Sequence, residues 1–202
     1  ADGAIAVNGP GGVGASGAGL ILTCLPTSVQ VEQVVFGPDG VADSAAKGVL
    51  IADMTTGDPL ATKDMSARLA ERGIDLIDAP VSGGVSGAEQ GTIAIMIGAP
   101  EALFDKVKPA FESISPNILH AGDTGSGHAM KLINNMLGIT NTIVLLEGLT
   151  IGAKSGIGLQ TMYDVLKVSS GDSAAVDFRV PRIMSGDFTP GGTMDIVFKD
   201  QE

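Results

Sequence analysis

One stretch limits what this chain can fold into more than any other. Gly125-Ser126-Gly127-His128-Ala129-Met130-Lys131-Leu132-Ile133-Asn134-Asn135 ends a loop with two glycines and opens a long apolar run. The pattern predicts a helix from about Ser126 to Lys154, roughly 40 Å long at 1.5 Å per residue. Its apolar residues, from Leu132 and Ile133 to Leu149 and Ile151, lie on every side of the helix rather than in one stripe. Such a helix is expected to be buried on most sides.

Lys131 sits about one turn into that helix, and Asn135 follows four residues later on the same face. Two readings fit the pair. A lysine can snorkel to solvent beside a capping asparagine. Alternatively, Lys131 is a catalytic acid–base group and Asn135 orients it or its substrate. The glycines favour the second, because they let backbone approach closely just before the helix.

Composition narrows the partners. Twelve basic against twenty-three acidic residues leave a net charge of −11 over 202 residues, which argues against nucleic acid and anionic membrane surfaces. Cys24 is the only cysteine, so no intramolecular disulfide forms and a reducing, cytoplasmic compartment fits. The long helix carries Asn134, Asn135, Asn141 and Glu147, which reads against a membrane span. His120 and His128 lack the neighbouring ligands of a metal site and read as packing residues.

Before residue 122 short apolar runs alternate with helical patterns. Leu20 to Cys24, Val49 to Ala52, Ile74 to Ile77, Ile93 to Ile97 and Asn117 to His120 read as strands. Helices are expected over residues 29–35, from Asp58-Pro59 to about Arg72, and over Leu103 to Ile114, with Asp58 as cap and Pro59 at the first helical position. This alternation implies a doubly wound parallel sheet. After residue 122 only helices are expected: the long one, then Leu159 to Lys167 and Ser173 to Met184. The expected division is therefore an α/β domain over 1–122 and an all-α domain over 123–202.

Gly9-Pro10-Gly11-Gly12-Val13-Gly14 matches G-x-G-x-x-G after Ala4 to Val7, which could pass for a strand. It is rejected as a dinucleotide fingerprint, because Ala15 to Gly19 are too few for the helix that must receive the pyrophosphate. Ser82-Gly83-Gly84 follows the third strand and offers a hydroxyl and unobstructed N–H groups suited to a carboxylate; it could equally be a glycine-rich turn that holds nothing. Leu25-Pro26 and Thr55-Thr56 also sit at strand ends, where a cofactor would be flanked, although each read singly is loop punctuation.

These residues resemble the β-hydroxyacid dehydrogenase family, which includes 3-hydroxyisobutyrate dehydrogenase and tartronate semialdehyde reductase. Leu25-Pro26 is similar to its M-L-P strand end, and Asp53-Met54-Thr55-Thr56 to its D-M-S-T loop. Asp78 to Gly84 reads D-A-P-V-S-G-G, the family's substrate signature, and Gly91 to Gly98 resembles G-T-L-x-I-M-V-G. Gly125 to Asn135 is similar to the catalytic G-x-G-x-x-x-K-x-x-N-N, and Ser185 to Pro190 and Phe198-Lys199-Asp200 match later helices.

The resemblance implies a partial Rossmann-like domain followed by an all-α domain, joined by the long interdomain helix. It implies an NAD- or NADP-dependent oxidoreductase acting on a small 3-hydroxy acid, and a homo-oligomer, dimer or tetramer. Lys131 would exchange the substrate proton, Asn135 would orient the substrate, and Ser82, Gly83 and Gly84 would hold its carboxylate. Leu25, Pro26, Gln30 and Thr56 would line the nicotinamide side, with Lys199 closing over cofactor and substrate. Burial of the lysine against the apolar helix would favour the neutral amine that such proton exchange needs.

The chain departs from the family at both ends. It starts after the family's G-x-G-x-x-G unit and stops before its last helices, so both ends look cut. Two other readings stay open: a catalytically silent binding or oligomerisation fragment of the same fold, and a phosphate-binding transferase using Gly9 to Gly14.

Overall fold

A computed structural model describes residues 3–189 of the chain. Two compact units divide it, residues 1–131 and 132–202.

In the first unit the described elements are α1 (Gly9–Gly14), β1 (Leu20–Thr23), α2 (Ser28–Phe36), α3 (Val41–Ser44), β2 (Leu50–Asp53), α4 (Pro59–Ala70), β3 (Asp75–Asp78), β4 (Val81–Ser82), α5 (Gly84–Glu89), β5 (Ala94–Gly98), α6 (Glu101–Phe111) and β6 (Asn117–Gly122). Local signals set several boundaries. Thr27 caps α2 by accepting from the Val29 N–H, and Asp58 caps α4 by accepting from the Leu60 N–H, with Pro59 next. Gly73, at φ 72°, turns the chain after α4 into β3. Residues 4–7 form no strand, and Gly9 to Gly14 themselves make the six-residue α1. A phosphate loop needs a strand, a turn and a long helix here, and that geometry is not present.

β1, β2 and β3 are parallel, as the alternation implies. The sheet as a whole is mixed. β5 runs antiparallel to β3 and β4 and parallel to β6. The cause is the short connection through β4 and α5, which returns the chain without a full crossover helix.

The sheet is covered on both faces. Ile51 and Leu76 pack with Val31, Val35, Met65 and Leu69 of α2 and α4. Leu50, Ala52 and Ile77 face the other way and pack with Val107 and Phe111 of α6. Strands buried on both faces read as continuous apolar runs, which is why VLIA and AIMI carry no alternation.

α7 (Ser126–Lys154) starts in the first unit and continues into the second. In the second unit α8 (Leu159–Lys167) and α9 (Ala174–Ser185) follow, and Leu145 and Leu149 of α7 pack with Ala175, Val176 and Val180. Pro181 lies inside α9 without ending it. The expected burial of α7 on most sides is not met: Ile133, Met136, Leu137, Ile143, Val144 and Ile151 are all exposed. Only one stripe of its second half meets α9, so the remaining apolar faces have no cover among the described residues. By length and composition α7 is apolar enough to cross a membrane, a test that the core helix of a soluble protein also passes.

Leu69 is fully buried and Leu60 is 74% exposed on the same helix. In the full-length polypeptide, Leu69→Ala should lower unfolding stability in urea by about 2–5 kcal/mol. Leu60→Ala should stay within about 0.5 kcal/mol of wild type.

Candidate active site

The carboxyl-terminal residues of the strands fall in one line. Thr23 pairs with Asp53, Asp53 with Asp78, Asp78 with Gly98, and Gly98 with Gly122. Loops that leave such a line form the usual ligand crevice of an open α/β sheet.

The line contains two fully buried carboxylates, Asp53 and Asp78. Asp53 Oδ1 accepts from Thr23 Oγ1 at 2.8 Å and from the Thr55 N–H at 3.1 Å. Thr55 Oγ1 in turn accepts from the Leu25 N–H at 3.0 Å. The structure thereby ties the loop after β1 to the loop after β2. Leu25 is half-buried there, Pro26 and Gln30 are exposed, and Thr56 is half-buried. Gln30 accepts a short hydrogen bond from Thr27 Oγ1.

Asp78 serves the other side. Its Oδ1 accepts from the Gly125 N–H at 2.6 Å, and its Oδ2 accepts from the His128 N–H at 2.7 Å. Burial pushes this carboxyl above its ordinary range, and the two N–H bonds offset only part of that rise. The donors belong to the loop and first turn of α7, so one carboxylate satisfies two of the groups that a helix start leaves without intrahelical partners.

Glycines make that approach possible. A Cβ on Gly98 would lie 2.5 Å and 2.6 Å from the two Asp78 oxygens and 2.6 Å from the Gly127 nitrogen. A Cβ on Gly127 would collide with the Met96 carbonyl and lie 2.8 Å from the Gly98 nitrogen. The first turn of α7 therefore lies backbone to backbone on the end of β5. His128 is fully buried beside it, with Nδ1 2.8 Å from Thr62 Oγ1 and Nε2 3.9 Å from Asp53 Oδ2. Its expected packing role agrees with this position against α4.

Lys131 follows Gly127 by four residues, so it shares the helix face that meets β5. It is 8% exposed. Asn135, half-buried, is one turn further along the same helix. The 82–84 loop is built on the same strand: Val81 pairs with Ile95, Ser82 with Ala94, and the Met96 N–H donates to Pro80 O at 3.0 Å. Met96 thus holds that loop through its N–H and abuts Gly127 through its carbonyl. Gly83 and Gly84 have φ of 137° and 62°, conformations that side chains disfavour, and both are exposed with Ser82 half-buried. Lys199 lies outside the described residues, as does all of Phe198-Lys199-Asp200.

Asp53 and Asp78 stand in the sequence within the two quoted stretches, Asp53 to Thr56 and Asp78 to Gly84, where neither was given a task of its own. Each is an aspartate that closes a strand directly after buried apolar residues, and a charge placed there needs buried partners. That was the available signal.

Residues 1–122 match the family described as the NAD binding domain of 6-phosphogluconate dehydrogenase. Residues 125–202 match the NAD-binding segment of NADP-dependent 3-hydroxyisobutyrate dehydrogenase. The chain is 44% identical to 2-(hydroxymethyl)glutarate dehydrogenase of Eubacterium barkeri over 92% of its own length and 62% of that protein's. It is 36% identical to 3-hydroxyisobutyrate dehydrogenase of Pseudomonas aeruginosa over 82% of its length and 55% of that protein's. Among solved structures, 3-hydroxyisobutyrate dehydrogenase of Mycobacterium tuberculosis with L-serine superposes with a TM-score of 0.85 at 30% identity, over 92% of this chain and 65% of that one. The chain thus spans less than two thirds of these relatives. The strand-end line, the Asp78-anchored helix start and these matches agree, and the chain belongs to the β-hydroxyacid dehydrogenase family.

Proposed function

We propose that this chain carries the substrate site and one side of the cofactor cleft of an NAD- or NADP-dependent oxidoreductase. The reaction interconverts a small 3-hydroxy acid and its semialdehyde. The observation that carries the reading is the buried Lys131 on the face of α7 whose first turn rests on β5, the strand that also holds the 82–84 loop. The two family matches divide close to residue 122, which supports a nicotinamide-binding domain over 1–122 and a helical domain over 123–202.

The names of the similar enzymes support the substrate class. 2-(Hydroxymethyl)glutarate and 3-hydroxyisobutyrate both carry a hydroxyl on the carbon β to a carboxylate. 2-Hydroxy-3-oxopropionate, named for the similar Escherichia coli reductase, carries the corresponding aldehyde. A site for such molecules needs a carboxylate cradle a short distance from an acid–base group.

Each residue then has a task. Ser82 Oγ and the N–H groups of Gly83 and Gly84 bind the carboxylate. Asn135 hydrogen-bonds the substrate and fixes its orientation. In the oxidative direction the Lys131 amine takes the hydroxyl proton as the adjacent carbon loses hydride; in the reductive direction it returns that proton to the aldehyde oxygen. The nicotinamide, when bound, accepts or supplies the hydride. Leu25, Pro26, Gln30 and Thr56 would hold its ring side, because the loops bearing Leu25, Pro26 and Thr56 leave the parallel strands at the crevice and are tied together through Thr55, and Gln30 stands in the first turn of α2 behind the first of them. We assign Lys199 to closure over both ligands. The whole protein works as a homo-oligomer in this reading, with a second copy against the exposed apolar face of α7, and is cytoplasmic.

Two measurements in the full-length polypeptide test these assignments. Lys131→Ala should lower kcat with a 3-hydroxy acid by about 10² to 10⁴, while NADH binding, followed by fluorescence, stays intact; a rate within a few-fold of wild type contradicts the role of Lys131. Sedimentation velocity should report a dimer or larger assembly, and Val144→Glu should shift it toward monomer. A wild-type monomer contradicts the proposed interface.

A further inference from the structure

We infer that Asp78 is the positioning residue for Lys131: its buried carboxylate locks the first turn of α7 onto the ends of β3 and β5, and so sets where the amine stands. The inference rests on the catalytic reading of Lys131 and deepens it.

Asp78 touches no atom that the proposed reaction changes, yet it is built for a mechanical task. Its two oxygens divide the labour between donors 47 and 50 residues away, Gly125 N–H and His128 N–H. Those donors bracket Gly127, the residue in contact with Met96 and Gly98. Three points of one turn are therefore fixed at once. Rotation of α7 about its axis would break both bonds, and sliding along it would drive Gly127 into β5. Lys131 is one turn beyond these fixed points, too near for the helix to flex between them. A carboxylate does this where an amide does not. Asparagine offers one acceptor oxygen, and its NH₂ group would face the second N–H donor to donor.

Asp53 also approaches this turn, with Oδ2 3.9 Å from His128 Nε2, but no hydrogen bond joins the two. It bonds to Thr23 and Thr55, which hold the loops after β1 and β2. Loss of the Asp78 bonds should consequently disturb the acid–base group without loosening the proposed nicotinamide side.

A double-mutant cycle in the full-length polypeptide tests this. Asp78→Asn alone should lower kcat by about 10²-fold, the scale of an ångström-sized misplacement of a reacting group. Affinity for NADH should stay within about twofold, because Asp53 still ties the two loops together. In a Lys131→Ala background the same substitution should change the residual rate by less than about twofold, because the group it positions is gone. Should the asparagine variant not fold, Asp78→Glu replaces it in the cycle; it keeps both acceptor oxygens and displaces them by one methylene. An Asp78 variant with kcat near wild type overturns the inference, as does an equal rate loss in both backgrounds or a parallel loss of NADH affinity. A normal Lys131→Ala effect with no coupling to Asp78 removes this inference alone. A Lys131→Ala protein at the wild-type rate removes the functional reading with it.

Discussion

The first unit depends on two hydrogen bonds to a single buried carboxylate. Asp78 lies at the end of β3 with no exposed surface, and the Gly125 and His128 N–H groups come to it from the start of α7. Neither side is stable alone in that place. A buried carboxylate without donors is strongly disfavoured, and the leading N–H groups of a helix need acceptors. Each removes the other's penalty. The bond lengths then dictate how near the helix must come, and only glycine at 98 and 127 allows that distance.

Much of this was legible before any coordinates. Asp58-Pro59 marks a helix start through local chemistry, and local chemistry is what a sequence displays. The helix over 126–154 follows from its long apolar run behind two glycines. Strand direction is a different kind of property. AIMI reads as a buried strand whichever way it runs, and its antiparallel pairing with β3 is decided by a fifteen-residue path through β4 and α5, glycine-rich segments with no clear period. The residues Gly9 to Gly14 form a short helix for the same reason: a pattern of glycines has little intrinsic structure, so context decides.

The site divides along the same line. Lys131 and Asn135 stand out because their residue types are unusual at the mouth of an apolar helix, and Ser82-Gly83-Gly84 because of its strand-end position. The roles of Asp53 and Asp78 were not legible, because they lie in partners 30 to 50 residues distant. The burial of α7 was misjudged in the opposite direction. Its composition reads as a helix covered all round, whereas the described residues cover only the stripe around Leu145 and Leu149. Ile143 and Val144 lie exposed on another side of the same helix.

The central claim is spatial: a lysine fixed to the sheet through its helix start addresses a hydroxy acid held on the neighbouring loop. A crystal structure of the full-length polypeptide with a 3-hydroxy acid and oxidised cofactor tests it most directly. The account predicts Lys131 Nζ within about 2.7–3.2 Å of the substrate hydroxyl, with the carboxylate on Ser82, Gly83 and Gly84. A hydroxy acid bound with its hydroxyl out of reach of Lys131, or with its carboxylate away from residues 82–84, would contradict it.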